Sequence, residues 1–175
     1  MVNVRARLVV LILTLILATA LAFAIWQWLR PAETTVSVYF IRTLGNLSTV
    51  EAVPRLVRAR GMAPLLAAAL QEVLEGPSPS EQVRGLATAI PKGTRLRSVQ
   101  IQEGIVLVDL SGEIESGGGS SSMLGRFWQI VYTATQFLEA PTVRILIDGQ
   151  EREAMGGEGV IIDRPVERPS ELPRF

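Results

Sequence analysis

Residues 108–137, VDLSGEIESGGGSSSMLGRFWQIVYTATQF, join a strand pattern to a helix pattern and decide the fold class of this chain. An apolar run ends at Asp109, and three glycines and three serines follow it a few residues later. From Met123 onward, apolar residues recur every three or four positions, which is typical of one face of a helix. The segment therefore predicts a strand, a glycine-serine loop and then a helix over residues 121–138.

The glycine-serine loop is the candidate site of ligand or partner binding, and it comprises Gly117, Gly118, Gly119, Ser120, Ser121 and Ser122. It has neither the Gly-Lys-Ser/Thr of a P-loop nor the spacing Gly-x-Gly-x-x-Gly. Serine is a preferred N-cap and glycine lets the chain turn, which favours a loop that starts the helix near Met123 with a serine as its cap. The free amides of a helix N-terminus can also bind an anion or a carboxylate. A serine nucleophile is the third alternative.

The composition excludes much catalytic chemistry. The 175 residues include no cysteine, no histidine and one lysine, so disulfides, thiolate zinc sites and Ser–His catalysis are ruled out. Two groups of acids match neither an EF-hand nor a recognisable glycosidase pair; they are Asp109, Glu113 and Glu115, and Asp148, Glu151, Glu153 and Glu158. We predict no enzymatic activity, no metal and no cofactor. The formal net charge is zero, so we also predict no nucleic-acid partner.

The patterns on either side of this segment predict an α+β fold. TTVSVYFIR and STVEAVPRLVRAR are expected to form strands, the second at a sheet edge, where Pro54 is tolerated. Residues 61–77 predict a helix, and the long connector after it should be pinned by Leu86 and Ile90. Two strands joined at Glu103-Gly104 and a last strand, TVRILIDG, complete the order β-β-α-β-β-α-β. We predict a mainly antiparallel sheet with two amphipathic helices on one face.

The N-terminal residues 8–29 carry no charge and predict a membrane helix. As a helix they would extend about 33 Å, enough to cross a hydrocarbon core of about 30 Å. Arg5 and Arg7 precede the stretch and only Arg30 lies close behind it, which favours a cytoplasmic N-terminus and an exported remainder. We predict a membrane anchor over residues 1–30, which makes the chain a single-pass protein with its C-terminal domain outside the cytoplasm.

A cleaved signal peptide is the alternative for this stretch. Ala22-Phe23-Ala24 fits a small-x-small cleavage site, and cleavage near Ala24 would give a secreted or periplasmic protein. Trp26 and Trp28 favour the uncleaved anchor, because tryptophan is enriched at membrane interfaces. Either alternative exports the folded domain, predicted over residues 34–163, and a proline-rich tail over residues 164–175.

The exported part resembles the GerMN domain family, named for a sporulation and spore germination protein. The resemblance runs from Val36 to Asp163 and rests on the order and spacing of short pieces. They are Leu-Glu-Gly-Pro at 74–77, Ile-Pro-x-Gly-Thr at 90–94, Val-Asp-Leu-Ser at 108–111, Ile-Asp-Gly at 147–149 and the trailing GGEG. Many members of the family are lipoproteins and some carry two such domains, whereas this chain has no cysteine and one domain.

The resemblance implies a non-enzymatic module of the bacterial cell envelope that is tethered to the membrane through residues 8–29. Its partners would be envelope proteins or cell-wall components, and the similarity to ring-building domains leaves self-association open. The resemblance supplies no catalytic residue. The alternative function is a cell-envelope hydrolase or ligand-binding domain that uses the loop Gly117–Ser122.

We expect residues 31–175 to lie outside the cytoplasm, because the positive charges precede the apolar span. Alkaline phosphatase fused after Arg30 or after Phe175 should be active, and a fluorescent protein that matures only in the cytoplasm should stay dark at both sites. Cytoplasmic fluorescence at either fusion would contradict this topology. A mature protein that begins at Ile25 would replace the anchor with a signal peptide and leave export intact.

Overall fold

The computed structural model describes residues 4–30, 32–156 and 159–175. The chain divides into two compact units, Met1–Ala32 and Glu33–Phe175. The first unit contains helix α1, Val4–Leu29, whose described side chains are exposed along its length. Its segment Ala6–Gln27 is long and apolar enough to cross a membrane, a property that signal sequences share. The predicted apolar helix is confirmed, and its insertion into a membrane stays a prediction.

Residues 32–175 contain the predicted succession of strands and helices, with several short elements added between them. In chain order, the elements are β1 (Ala32–Leu44), β2 (Leu47–Ala59), α2 (Met62–Glu75), α3 (Pro79–Val83), β3 (Leu86–Ala87), β4 (Leu96–Gln102), β5 (Ile105–Leu110), a 3₁₀ helix (Gly112–Glu115), α4 (Ser120–Ala134), β6 (Thr142–Ile147), β7 (Ala154–Met155), β8 (Val160–Ile161) and β9 (Val166–Glu167). The α+β class and the order of the main elements are therefore confirmed.

The strands lie in two main sheets and one short ribbon rather than in one sheet. The first sheet has the order β2-β1-β3, the second has the order β4-β5-β6-β9, and β7 pairs with β8. Strand β2 lies at the edge of its sheet, as predicted, and Pro54 is exposed there. Proline has no backbone N–H to donate. An edge strand tolerates it because one side of the strand has no neighbour whose carbonyl would need that donor.

One pair of strands is parallel, while the other pairs in the second sheet are antiparallel. Strand β5 runs parallel to β6, with Val108 opposite Ile145 and Leu110 opposite Ile147. The connection between them includes α4, as a crossover between parallel strands requires. Asp109 and Asp148, at the carboxyl ends of these two strands, consequently lie at the same edge of the sheet.

Helices α2 and α4 pack against each other and contact strands of both main sheets. Four residues of α2 are buried, namely Leu66, Ala69, Leu70 and Val73, as its apolar stripe predicted. The core face of α4 includes Met123, Phe127, Ile130, Val131 and Ala134. One hydrophobic core thus joins both helices to both sheets.

The connector after α2 is held to the sheet by a buried ion pair. Glu81 is 5% exposed and accepts two hydrogen bonds of 2.7 Å from the guanidinium of Arg55 on β2. These bonds lower the pKa of Glu81 to about 2. Leu86 and Ile90 are buried, which confirms that they pin the connector to the core.

Two local predictions differ from the structure. Helix α4 ends at Ala134 rather than at Leu138, and Leu138 is 95% exposed. Thr135 is the C-cap, and its hydroxyl donates a hydrogen bond to the carbonyl of Val131. This bond helps to end the helix before the end of the apolar pattern. The proline-rich residues after Asp163 are extended, but they run back across the domain: β9 pairs with β6, and Phe175 pairs with Ser48.

We expect Leu70→Ala and Phe127→Ala each to lower the free energy of unfolding by about 2–5 kcal/mol, because both side chains are buried where the helices meet the sheets. Leu138→Ala is the matched control and should change it by less than about 0.5 kcal/mol. Urea titration of the purified chain measures all three. An unchanged midpoint for Leu70→Ala would mean that the core face of α2 is wrongly placed.

Candidate functional site

The glycine-serine loop lies on the surface and leads directly into α4. Gly117 and Gly118 have φ angles of 61° and 81°, a region that glycine adopts readily. The N-cap of α4 is Gly119, and Ser120, Ser121 and Ser122 form its first turn. The prediction that a serine caps the helix is therefore wrong, because the helix begins one to three residues earlier than the apolar pattern indicates. The first apolar residue marks the buried face of a helix and not its beginning.

A buried arginine of α4 holds this loop by a hydrogen bond to its backbone. Arg126, on the second turn of α4, is 3% exposed. Its guanidinium donates to the carbonyls of Ala89 at 2.9 Å, Ile114 at 2.7 Å and Gly117 at 2.6 Å. Burial lowers the pKa of Arg126, but an arginine stays charged at neutral pH. One side chain therefore joins the connector, the 3₁₀ helix and the loop to α4.

The packing around Gly118 shows that the loop conformation is closely constrained. A Cβ atom at Gly118 would lie 2.7 Å from Ser122 Oγ and 2.8 Å from an Arg126 nitrogen. Both distances are shorter than a carbon atom can tolerate. Glycine at this position lets the loop close over the guanidinium, and its positive φ angle adds a second reason for glycine.

Sequence reasoning missed Arg126 although a signal was present. Arg126 follows Met123 by three residues and precedes Ile130 by four, so it lies on the same helical face as the core residues. A charged residue in an apolar stripe is buried only if its donors find acceptors. Here the acceptors are backbone carbonyls from three separate segments, and a linear pattern does not reveal them.

The parallel strands bring together acids that are 39 residues apart (109 and 148). Asp109 is buried and accepts from the amide of Gly149 at 2.8 Å and from Arg97 at 3.0 Å. Arg97 also lies 3.7 Å from Asp148. Both oxygens of Asp109 are thus already engaged. The cluster pairs Arg97 with both carboxylates, and Asp148 remains about half exposed.

The other predicted acids lie apart: Glu153 is exposed, and three others engage separate partners. Glu113 lies 3.2 Å from Arg95, Glu115 accepts from the amide of Gly156 at 2.8 Å, and Glu151 lies 2.5 Å from Arg144. Glu158 lies outside the described residues. Within residues 4–30, 32–156 and 159–175, no three acids come close enough to form a metal site.

A surface groove that sequence reasoning missed lies beside the turn of the β1–β2 hairpin. Its volume is about 590 Å³, and Glu171, Leu172 and Arg174 near the C-terminus also line it. Leu44, Leu47 and Leu172 line it, and they are 68%, 53% and 54% exposed. Thr49 also lines it, and the hydroxyl of Thr49 is buried without a hydrogen-bond partner among the described residues. Grouped exposed leucines are typical of a contact surface.

Comparison with protein families matches residues 37–153 to Germane, described as sporulation and spore germination. Comparison with curated protein sequences gives no match. Solved structures similar to this chain include the following three. The tandem GerMN domains of the sporulation protein GerM from Bacillus subtilis superpose with a TM-score of 0.65 and 24% identity, over 81% of this chain and 48% of that one. The present chain thus spans about half of that protein.

The second structure is a protein from Clostridium perfringens described as a lipoprotein, with a TM-score of 0.56 and 27% identity over 78% of this chain and 89% of that one. The third is the first GerMN domain of Bacillus subtilis GerM, with a TM-score of 0.58 and 22% identity over 77% and 98%. At these identities, the two GerM structures establish a common fold.

We expect Arg126→Met to lower the free energy of unfolding by at least about 2 kcal/mol, because it leaves three carbonyls without their donors. Arg126→Lys should recover part of this loss, since an ammonium keeps the charge but lacks the planar fork. The triple change of Ser120, Ser121 and Ser122 to alanine should cost less than about 1 kcal/mol, because none of them is the cap.

Thermal or urea unfolding of these variants measures the differences. A stable Arg126→Met chain would show that the loop is held by other contacts. A large loss of unfolding free energy in the triple serine variant would support the original prediction that a serine caps α4.

Proposed function

Because the chain belongs to the Germane family of sporulation and spore germination domains, we propose that it is a non-enzymatic, extracytoplasmic interaction module of the bacterial cell envelope. In this proposal, residues 8–29 hold it in the membrane, and the α+β domain binds envelope proteins or cell-wall components. Side-by-side assembly of the ring-building kind is a separate prediction.

The observation that carries the proposal is the group of exposed leucines at the groove, Leu44, Leu47 and Leu172. Each of these three leucines is at least half exposed. Grouped on one small surface, they lower the solubility of the domain unless a partner covers them. Strand β2 contributes Leu47 and is also a sheet edge. Apolar side chains next to a strand edge are a common basis for binding another polypeptide.

The position at the membrane is supported by composition and by one structural likeness. Helix α1 is uncharged across residues 8–29, and its described side chains are exposed. The similar Clostridium perfringens protein is described as a lipoprotein. The present chain has no cysteine for lipid attachment, so the apolar helix would serve as its anchor.

A hydrolase or ligand-binding domain that uses the loop Gly117–Ser122 is the alternative. It would need a base near a serine, and the chain has no histidine. The neighbouring acids Glu113 and Glu115 are engaged by Arg95 and by the amide of Gly156. The loop is better suited to present exposed amides to a partner than to activate a hydroxyl.

We expect the full chain, tagged and recovered in detergent, to capture a defined envelope component. Capture should be strongly reduced by Leu47→Ser and unaffected by Leu56→Ser, because both leucines are exposed on β2 but only Leu47 lines the groove. Mass spectrometry of the captured material gives the readout.

Equal capture by both leucine variants would overturn the groove as the contact surface. If the triple serine variant loses the partner while its stability is unchanged, the loop is the binding site instead. Covalent labelling of one loop serine by an active-site-directed phosphonate would replace the interaction module with the hydrolase.

A further inference from the structure

The C-terminal segment, residues 166–175, lies on the domain without entering its core. The structure describes every residue of this segment, and none of them is fully buried. The core ends earlier in the chain, at Ile162, which is 2% exposed. Val166 packs against the core while only partly buried, and residues 169–172 are exposed. The segment therefore lies against a core that other residues complete.

The surface under the segment belongs to the family domain, whereas the segment lies beyond it in the chain. The Germane match ends at residue 153. The residues that the segment contacts inside this match include Tyr39, Ser48, Tyr132, Thr142 and Val143. Surface and occupant are thus separate parts of the chain, and the occupant is a short extended peptide.

The two ends of the segment pair with strand edges. Glu167 lies opposite Thr142, and Val166 lies opposite Val143, which adds the segment to β6. The amide and carbonyl of Phe175 pair with the carbonyl and amide of Ser48 at 3.0 and 2.8 Å, which adds its other end to β2. Backbone pairing at a strand edge is a common way in which a domain binds an extended peptide.

An arginine anchors the middle of the segment on two tyrosine rings. The guanidinium carbon of Arg168 lies 5.1 Å from the ring centre of Tyr39 and 4.9 Å from that of Tyr132. The guanidinium also donates to the carbonyl of Tyr132, to the hydroxyl of Tyr39 at 3.2 Å and to the hydroxyl of Thr135 at 3.3 Å. A planar cation with several donors fits this site, and the ammonium of a lysine would not reproduce the contact.

Tyr132 also holds the backbone that follows the arginine. Its hydroxyl donates to the carbonyl of Glu171 at 2.9 Å and lies 3.3 Å from that of Pro169. Burial raises the pKa of this phenol, which keeps the hydroxyl protonated as a donor. The surface thus recognises an arginine side chain through rings and the next residues through their carbonyls.

We propose that this surface is a binding site for an extended, arginine-bearing polypeptide, and that residues 166–175 occupy it as an inhibitor built into the chain. A partner segment of the same pattern would pair two residues with β6, place its arginine on the tyrosine rings and continue with a proline. The inference rests on the proposed function in taking a polypeptide as the partner. It adds a second site to the groove, which a partner reaches by displacing the C-terminal segment.

The burial of the segment fits a displaceable occupant. Its departure would uncover strand edges and rings but would leave no cavity in the core, because none of its residues is fully buried. A segment attached to its own site competes at an effective concentration of about millimolar. A free peptide therefore binds the wild-type chain weakly, and any change that weakens the attached segment raises the apparent affinity for the free peptide.

A labelled synthetic peptide of residues 165–175 tests this competition on the purified full chain in detergent. We expect the Arg168→Ala chain to bind the peptide at least about tenfold more tightly than the wild-type chain in fluorescence anisotropy, because its own segment has lost the ring contacts. Arg174→Ala is the matched control, an exposed arginine of the same segment, and should bind as the wild type does. A peptide with Arg168→Lys should bind the Arg168→Ala chain about tenfold more weakly than the natural peptide.

A disulfide locates the bound peptide, since the natural chain has no cysteine. Thr142 and Glu167 are opposite each other in the β6–β9 ladder, a spacing that a disulfide can bridge. A peptide with Glu167→Cys should therefore crosslink to an Arg168→Ala chain that carries Thr142→Cys. It should not crosslink to one that carries Gln100→Cys, an exposed position on β4 at the opposite edge of the same sheet.

Equal peptide binding by the wild-type and Arg168→Ala chains, or no binding by either, would overturn the inference. Equal binding of the arginine and lysine peptides would do the same, and so would equal crosslinking at Thr142 and Gln100. Urea titration should show that the Arg168→Ala chain stays folded, and an unfolded chain would make the segment part of the fold rather than an occupant. The measurement uses purified chain and peptide alone, so its failure leaves the capture of an envelope component through the groove untouched.

Discussion

The guanidinium of Arg126 is the interaction on which the arrangement around α4 depends. Placing a charge inside the domain costs several kcal/mol, and carbonyl groups rather than a carboxylate offset that cost here. Each charged hydrogen bond contributes about 1.5–3 kcal/mol when its acceptor is otherwise unpaired. The connector at Ala89, the 3₁₀ helix at Ile114 and the loop at Gly117 are consequently positioned by one side chain.

Charge pairing also stabilises the acids at the carboxyl ends of β5 and β6 in the second sheet. The parallel pair β5–β6 places Asp109 and Asp148 side by side, and such a pair would repel without a cation between them. Arg97 lies between them, and the amide of Gly149 takes the second oxygen of Asp109. The charges at this end of the sheet are therefore paired with one another within the domain.

The surfaces left for contact lie at the strand edges. Strand β2 has one open side, interrupted by Pro54 and occupied at Ser48 by Phe175. Edges of this kind attract other chains unless they are covered. Phe175, at the end of the C-terminal segment, covers part of this edge, and Leu44, Leu47 and Leu172 beside it remain exposed. This combination of covered and open edges supports the proposal that the domain binds other polypeptides.

The sequence by itself determined the helices, most of the strands, their order and the limits on chemistry. Periodicity identified the buried face of α2 because burial of a helical stripe is a local property. The absence of histidine and cysteine restricted catalysis in the same direct way. The predicted loop was placed correctly in the chain, although its cap was assigned to a serine instead of Gly119.

The tertiary structure decided the features that join distant residues. Periodicity does not tell which strands pair, so it gave neither the division into two sheets nor the parallel pairing that unites Asp109 with Asp148. Arg126 donates to carbonyls of separate segments. Arg168 packs on the rings of Tyr39 and Tyr132, which also come from separate segments. Backbone carbonyls are the same in every residue, so their positions in space, and not the order of side chains, determine where a buried cation can be held.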